Sequence, residues 1–242
     1  MTNIAIIPIR KNSKRLKNKN LLNFNGRMLF EQTLIEALKS KCFDRIILSS
    51  DIQFSNKILN KYHKEVIFDK RPDKYCTDKS KALEVVNYYF KKYNMEKQKK
   101  GTVSMLLVTC PLRDATDIKK AFALLSKNKN ADGIVSVTDY GFPYKMSLKK
   151  NSKSFIRPYW KNSPLITGNT RSQNHKPIFR PNGGFYIKKC SKFKNNKNFF
   201  KGKILGYYMP LEKSIDVDNI TQFRIAKFIK SLNFWILEIY KN

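Results

Sequence analysis

The chain has 242 residues, 41% of them hydrophobic, and a formal net charge of +31. This length and apolar content predict one α/β domain, residues 1–242, with a small appendage. No run approaches the roughly 20 apolar residues of a membrane-spanning helix, and the apolar run at 4–9 is too short for a secretory signal. The widely spaced cysteines form no Cys-x-x-Cys pair, which predicts reduced thiols in a cytoplasmic protein rather than a metal or redox motif.

The basic residues are spread along the chain rather than gathered in a tail. Two interpretations of the charge are open at this point. It is either compositional drift onto solvated loops, such as 97–100 and 192–197, or it serves the binding of a polyanion. We favour the first, and therefore do not expect nucleic acid as a partner.

Strand-like and helix-like segments alternate along the chain. We predict strands at 4–9, 45–49, 66–68, 103–108, 133–137, 184–187 and 204–209, and helices at 28–39, 54–62, 79–93, 114–125 and 220–232. Continuous apolar runs between helices are typical of a mostly parallel sheet that is covered on both faces. Residues from about 140 to 180 break the alternation, and a long irregular stretch of this kind is usually functional or an interaction arm.

The first strand runs into a basic loop at 10–20. Ligands bind beyond the carboxyl ends of strands in open α/β sheets, and backbone N–H groups with cationic side chains suit a phosphate there. The loop has neither the P-loop nor the dinucleotide glycine spacing. Later predicted strands are also followed by polar residues, namely Ser50, Asp51, Arg71, Asp73, Asp78, Ser80, Thr109 and Arg113.

Asp216 and Asp218 are separated by one residue, so in an extended segment they face the same side. Two adjacent carboxylates suit Mg2+ with phosphate oxygens as further ligands. The alternative is that Asp218 only caps the helix expected from residue 220. The basic loop and the paired carboxylates together suggest a triphosphate and Mg2+. His63 and His175 show no arrangement of a base with a nucleophile, which argues against a hydrolase that uses a protein nucleophile.

Six segments in order resemble the acylneuraminate cytidylyltransferases, or CMP-sialic acid synthetases. They are RKNSK (10–14) with KN (19–20), RPD (71–73) with DKS (78–80), TCPLR (109–113), FPYK (142–145), RSQ (171–173) with FRPNG (179–183), and SIDVD (214–218). The resemblance covers nearly the whole chain. It implies a three-layer αβα Rossmann-like nucleotidyltransferase with a mostly parallel sheet and an extended dimerisation arm.

The resemblance also implies the reaction. CMP would pass from CTP to the anomeric hydroxyl of a nine-carbon 2-keto-3-deoxy sugar acid of the sialic-acid type, with release of pyrophosphate, for surface glycan biosynthesis. Mg2+ would be the cofactor. The protein would be a homodimer whose arm, at about 140–180, crosses to the neighbour and completes its sugar pocket.

The same resemblance implies a role for each matching residue. The implied catalytic residues are Arg10, Lys14, Lys19 and Asp216. The implied nucleotide-binding residues are Arg10, Asn12, Ser13, Lys19, Asn20, Arg71 and Ser80. The implied sugar-binding residues are Lys145, Arg171, Arg180 and Asn182. The implied Mg2+ ligands are Asp216 and Asp218.

The chain departs from the family pattern at four positions. Leu107 stands where a glutamine is frequent, with Val108 in place of a proline, Cys110 in place of a serine and Arg15 in place of a glycine. A leucine cannot make the hydrogen bonds of an amide. We therefore expect a nonulosonic acid other than N-acetylneuraminate, such as legionaminic or pseudaminic acid.

Three alternatives accompany this interpretation. The first is CMP activation of another acid, such as 3-deoxy-manno-octulosonate. The second is an inactive polyanion-binding protein on the same scaffold, whose nucleic-acid binding would be weak and steeply dependent on salt. The third, compatible with catalysis, is weak association with a membrane surface through the apolar segment at 234–237, which sedimentation with vesicles after deletion of 234–242 would test.

Overall fold

The computed structural model describes residues 2–11, 13 and 15–239. Its strands are β1 Thr2–Pro8, β2 Asn23–Phe24, β3 Arg27–Met28, β4 Arg45–Ser50, β5 Val66–Lys70, β6 Gly101–Met105, β7 Gly133–Asp139, β8 Leu148–Lys150, β9 Ile156–Pro158, β10 Phe179–Lys189 and β11 Ile204–Tyr208. Its α-helices are α1 Leu29–Ser40, α2 Asn56–Tyr62, α3 Ala82–Lys92, α4 Ala115–Lys127, α5 Pro164–Thr167, α6 Cys190–Asn196 and α7 Ile220–Ile239.

A seven-stranded sheet runs in the order β11-β7-β10-β6-β1-β4-β5. Only β10 is antiparallel to its neighbours, β6 and β7, while β1 pairs in parallel with β4 and β6. The predicted mostly parallel sheet is therefore confirmed. Because the parallel strands share one direction, their carboxyl ends meet at a single edge, and β10 begins at that same edge.

The central strands are buried on both faces. Along β1, Ala5 and Ile7 contribute to one hydrophobic cluster, while Ile4 and Ile6 contribute to the other. Residues of α1, α4 and α7 pack in the first cluster, and residues of α3 and α6 pack in the second. The three-layer αβα prediction is confirmed.

The elements that differ from the sequence-based prediction include α6 and α7. Residues 192–197, predicted as a solvated loop, lie largely in α6. Phe193 anchors this helix, with its ring centroid 4.9 Å from that of Phe90. The helix α7 continues to residue 239, past the predicted end at 232. The side chains at 234–237 lie outside the description, so the membrane-surface hypothesis stays a prediction. Within the described residues no helix combines the length and apolar character needed to cross a membrane.

Residues 140–178 lie outside the central sheet, between β7 and β10. They contain the β8–β9 hairpin, the short helix α5 and a cluster of aromatic rings around Trp160. Many of their large apolar side chains are exposed, namely Tyr140, Phe142, Leu148, Phe155, Ile156, Tyr159, Trp160, Leu165, Ile166 and Ile178. This segment is the one in which the sequence predicts a dimerisation arm.

Candidate active site

The basic loop is fastened to the sheet at its entry. The Ile9 backbone N–H donates to Ser49 O at 2.9 Å, and the Lys11 N–H donates to Asp51 Oδ1 at 2.6 Å. Farther along, the Asn20 amide donates to Arg10 O at 2.9 Å. The two ends of the loop are thereby held together at the carboxyl end of β1. Asn20, predicted to bind nucleotide, has at least one role in shaping the loop itself.

The Arg10 side chain contacts the turn that contains Ser80. The Arg10 guanidinium pairs with Asp78 Oδ1 at 3.2 Å and donates to Thr77 O at 3.4 Å. The Ser80 hydroxyl is 2.8 Å from Thr77 Oγ1 and donates to Lys74 O at 3.1 Å. The first and second predicted nucleotide motifs therefore face each other across the carboxyl edge.

Arg71 is buried at the ends of β4 and β5. Its Nη2 donates to Ser49 O at 3.1 Å and its Nε lies 3.4 Å from Ser49 Oγ. Burial lowers the pKa of the guanidinium, although an arginine in a protein is effectively always protonated. In this structure Arg71 braces two strand ends, and its contact with a nucleotide stays a prediction.

Lys19 joins the basic loop to the carboxylate pair, which lies about 200 residues farther along the chain. Its side chain is 10% exposed. Its Nζ donates to Val217 O at 2.7 Å and to Asp218 Oδ1 at 3.0 Å. Arg15 also reaches the pair, with Nη1 2.8 Å from Asp218 Oδ2. The structure thus brings together the two features that suggested a triphosphate site.

Asp216 differs from Asp218 in its hydrogen bonding. Its Oδ1 is buried and has no hydrogen-bond partner among the described residues. Burial, and then the negative charge of Asp218, raise its pKa, against the opposing effects of Thr109, Lys19 and Arg15. A buried carboxylate oxygen without a hydrogen-bond donor is available to bind a metal ion.

The residues present therefore fit Mg2+. Among the described residues no group of three or more His, Cys, Asp or Glu side chains could hold a metal by itself. Two carboxylates can, because Mg2+ in nucleotide sites is commonly held by one or two carboxylates together with substrate phosphates and water.

The alternative role of Asp218 as a helix cap is wrong. Asn219 immediately precedes α7, and its Oδ1 accepts a hydrogen bond from the Gln222 N–H at 2.9 Å. Asn219 therefore caps this helix. The Asp218 carboxylate instead pairs with Lys19 and Arg15 of the basic loop.

The segment that carries the pair is attached to the sheet by Asn182 and Thr109. The Asn182 amide nitrogen donates to Ser214 Oγ at 2.8 Å, and its Oδ1 accepts from the Gly184 N–H at 3.0 Å. The Val217 N–H donates to Thr109 O at 2.7 Å. Asn182 is buried and positions this segment, so its predicted contact with the sugar stays a prediction.

A second attachment was missed by the sequence analysis. Lys213 Nζ lies 2.7 Å from Asp114 Oδ2 and 2.6 Å from Asp117 Oδ2, at the start of α4. Asp114 lies 99 residues away in sequence, and Asp117 is one helical turn beyond it. No local spacing could have identified them.

The predicted sugar-binding cations are more dispersed. Lys145 lines a cavity of about 770 Å3 between residues 139–145 and 174–178. Arg180 lies in β10 opposite Thr138 of β7, and Arg171 is exposed in the arm. Neither arginine is among the residues that line this cavity. Of the three, Lys145 is the one that lines this cavity.

Leu107 lies beside the glycine of the FRPNG segment. Gly183 has φ +79°, and a Cβ added there would lie 3.5 Å from Leu107 Cδ1 and 3.9 Å from Thr109 Oγ1. The fully buried Arg113 supports this junction by donating to Gly184 O at 2.6 Å and to Leu107 O at 3.4 Å. The apolar substitution at 107 is thus next to Thr109, which interacts with Asp216.

Two predicted residues, Asn12 and Lys14, lie outside the described residues. Ser13, between them, is half-buried. Their roles in nucleotide binding and catalysis stay predictions.

A family model described as Cytidylyltransferase matches residues 4–209. The chain belongs to the cytidylyltransferase family. The match takes in every strand of the central sheet and the basic loop, and it ends before the carboxylates Asp216 and Asp218. Membership in the family therefore rests on the sheet and the basic loop rather than on the carboxylate pair.

Two curated relatives show how the chain compares over its length. It is 29% identical over 244 residues to an N-acylneuraminate cytidylyltransferase of Escherichia coli, covering 99% of this chain and 55% of the relative. It is 25% identical over 237 residues to a pseudaminic acid cytidylyltransferase of Campylobacter jejuni, covering 96% of this chain and 98% of the relative. The chain spans about half the length of the first of these.

Solved structures show the same fold at low sequence identity. CMP:2-keto-3-deoxy-manno-octonic acid synthetase complexed with CTP matches with a TM-score of 0.64 at 12% identity, covering 96% of this chain and 100% of that one. A 4-diphosphocytidyl-2C-methyl-D-erythritol synthase from Anaerococcus prevotii matches with a TM-score of 0.59 at 11% identity, covering 95% and 99%. The Rossmann-like nucleotidyltransferase fold predicted from the sequence is confirmed.

Proposed function

We propose that this chain transfers CMP from CTP to the anomeric hydroxyl of a nine-carbon 2-keto-3-deoxy sugar acid, giving a CMP-sugar and pyrophosphate for surface glycan biosynthesis. One observation carries the proposal: Lys19 and Asp218 form an ion pair between the basic loop and the carboxylate pair. The names of the curated relatives support the same chemistry. We place the reaction in the cytoplasm, in keeping with four free cysteines.

The chemical step is an in-line displacement at the α-phosphorus of CTP. A bond forms from the anomeric oxygen to phosphorus, the bond from phosphorus to the β-phosphate oxygen breaks, and the hydroxyl proton is released to water. Such a step needs alignment and neutralisation of charge more than covalent help. Arg10, Lys14 and Lys19 would bind the triphosphate and stabilise the negative charge that develops on pyrophosphate.

The metal would be held by Asp216 and Asp218. When bound, Mg2+ neutralises phosphate charge and polarises the reacting phosphoryl group. The protein's own contribution is to keep both carboxylates in place. Asn182 and Lys213 do this through the bonds that attach the segment 213–218 to β10 and α4.

The sugar is proposed to be a nonulosonic acid other than N-acetylneuraminate. Leu107 presents an apolar surface beside Gly183 and Thr109, where an amide would offer hydrogen bonds to a hydroxyl. An unpaired polar group is costly in such a site, so the leucine favours a substrate with an apolar group at that point. Lys145 and an arginine, Arg171 or Arg180, would bind the carboxylate.

A substrate panel tests the proposal. Pyrophosphate release is measured with CTP and Mg2+ for N-acetylneuraminate, legionaminate, pseudaminate and 3-deoxy-manno-octulosonate. We expect kcat/KM for legionaminate or pseudaminate to exceed that for N-acetylneuraminate by about tenfold to a hundredfold, the range that one apolar pocket group supplies. N-acetylneuraminate as the best substrate would overturn the specificity. If no acid gives pyrophosphate release and CTP does not bind, the inactive polyanion-binding scaffold would be favoured.

We also propose that the arm forms a homodimer interface. Phe155 and Ile156 are 71% and 64% exposed, and clustered apolar exposure of this kind marks an interaction surface. We expect the double variant Phe155→Asp, Ile156→Asp to halve the mass measured by light scattering, from two chains of 28.4 kDa to one. Phe200→Asp, which changes a 54% exposed phenylalanine outside the arm, should leave the dimer intact. A monomeric wild-type protein would exclude the interface.

A further inference from the structure

Both oxygens of the Asp218 carboxylate are bound by cations of the basic loop. Lys19 Nζ lies 3.0 Å from Oδ1, and Arg15 Nη1 lies 2.8 Å from Oδ2. The Asp218 side chain is 20% exposed. Each oxygen keeps a lone pair for a further ligand, but a divalent ion at Asp218 is repelled by both cations and binds more tightly where one of them gives way.

The two cations differ in how firmly they are held. Lys19 is 10% exposed and also donates to Val217 O at 2.7 Å, so moving it would leave a buried carbonyl and a buried ammonium without partners. Arg15 is 71% exposed, so its guanidinium regains water when it leaves. Arg15 is therefore the cation that the carboxylate can exchange.

We propose that Arg15 occupies, in the metal-free protein, the position on Asp218 that a divalent cation takes when bound, and so weakens metal binding. This inference rests on the proposed function, because it takes Asp216 and Asp218 as the metal carboxylates. Metal and arginine compete for one carboxylate.

The test is the affinity for Mn2+ without nucleotide, followed by electron paramagnetic resonance of the free ion at 0.15 M salt. We expect Arg15→Gln to bind Mn2+ about threefold to fivefold more tightly than the wild type, the effect of one solvent-facing ion pair. Arg15→Lys, which keeps the charge, should stay closer to the wild type. Lys17→Gln is the matched control, since it removes an exposed cation from the same loop that pairs with no described carboxylate; we expect its affinity to stay within about 1.5-fold because of salt screening.

The outcomes separate the inference from the proposed function. Equal affinities of Arg15→Gln and the wild type, or equal tightening in Arg15→Gln and Lys17→Gln, would overturn the competition alone. Asp216→Asn serves as the second reference. Binding of Mn2+ that is the same in Asp216→Asn as in the wild type would overturn the metal site and the competition together. Absence of Mn2+ binding from every variant would overturn the competition, which needs a site that fills without nucleotide. Circular dichroism of each variant checks that the fold is kept.

Discussion

Asp216→Asn should abolish pyrophosphate release, with kcat lower by about a thousandfold or more, the scale on which metal ions and fixed charges stabilise such transition states. The substitution keeps the size of the side chain and removes the charge that would bind Mg2+. Single-turnover measurement of pyrophosphate at saturating CTP gives the loss directly. Full activity in this variant would contradict the proposed metal role.

The same substitution should stabilise the metal-free protein. Burial, and the negative charge of Asp218, raise the folded-state pKa of Asp216 above its ordinary value. A group with a raised folded pKa contributes stability that is present below the unfolded pKa and lost as pH rises through the folded pKa. The wild type therefore loses stability on ionisation of Asp216 between acid and neutral pH, and Asp216→Asn does not.

Thermal unfolding across that pH range checks the sign. We expect a higher midpoint for Asp216→Asn than for the wild type at pH 7, with the difference shrinking at acid pH, where both side chains are neutral. Asp218→Asn is the matched control with the opposite sign, because it loses the ion pairs with Lys19 and Arg15. A lower midpoint for Asp216→Asn at pH 7 would show that the carboxylate is satisfied by a partner after all.

The parts of this site that could be predicted are those that lie close together in sequence. The basic loop follows β1 directly, and Asp216 and Asp218 are separated by one residue, so their types and spacing carry the chemistry. The contacts between distant segments could not be predicted in the same way. Lys213 and its partners at the start of α4 are surface-type residues in sequence, and only the folded chain brings them together.

The fold shows the same limit. The alternating strands and helices predicted the three layers, but the direction of β10 was not predictable, because a buried apolar strand has the same pattern in either direction. The helix α6 was missed because seven residues with buried side chains only at Cys190 and Phe193 are too short for a helical period. The lysines around those two residues resembled a solvated loop.

Lys188, which precedes this missed helix, is the most deeply buried of the chain's described lysines, with 0% exposure. Its Nζ donates to Asn196 Oδ1 at 3.0 Å and to the backbone oxygens of Asn198 and Lys201, both at 2.6 Å. An ammonium has three N–H donors, so all of them are used. The side chain thus fastens the end of α6 and the following turn to β10.

Lys188→Met should lower the free energy of unfolding by about 3–5 kcal/mol, since it leaves three acceptors beside an apolar side chain. Lys189→Met is the matched control. The Lys189 ammonium makes one exposed hydrogen bond, to Lys129 O, so we expect its loss to lower the free energy of unfolding by less than about 1 kcal/mol. Urea unfolding measures both. Lys188 pairs with Val103 in β6, near the edge of the sheet opposite the proposed site, so kcat of the folded protein should be unchanged. Equal unfolding energies for the two variants would mean that water replaces the ammonium at little cost.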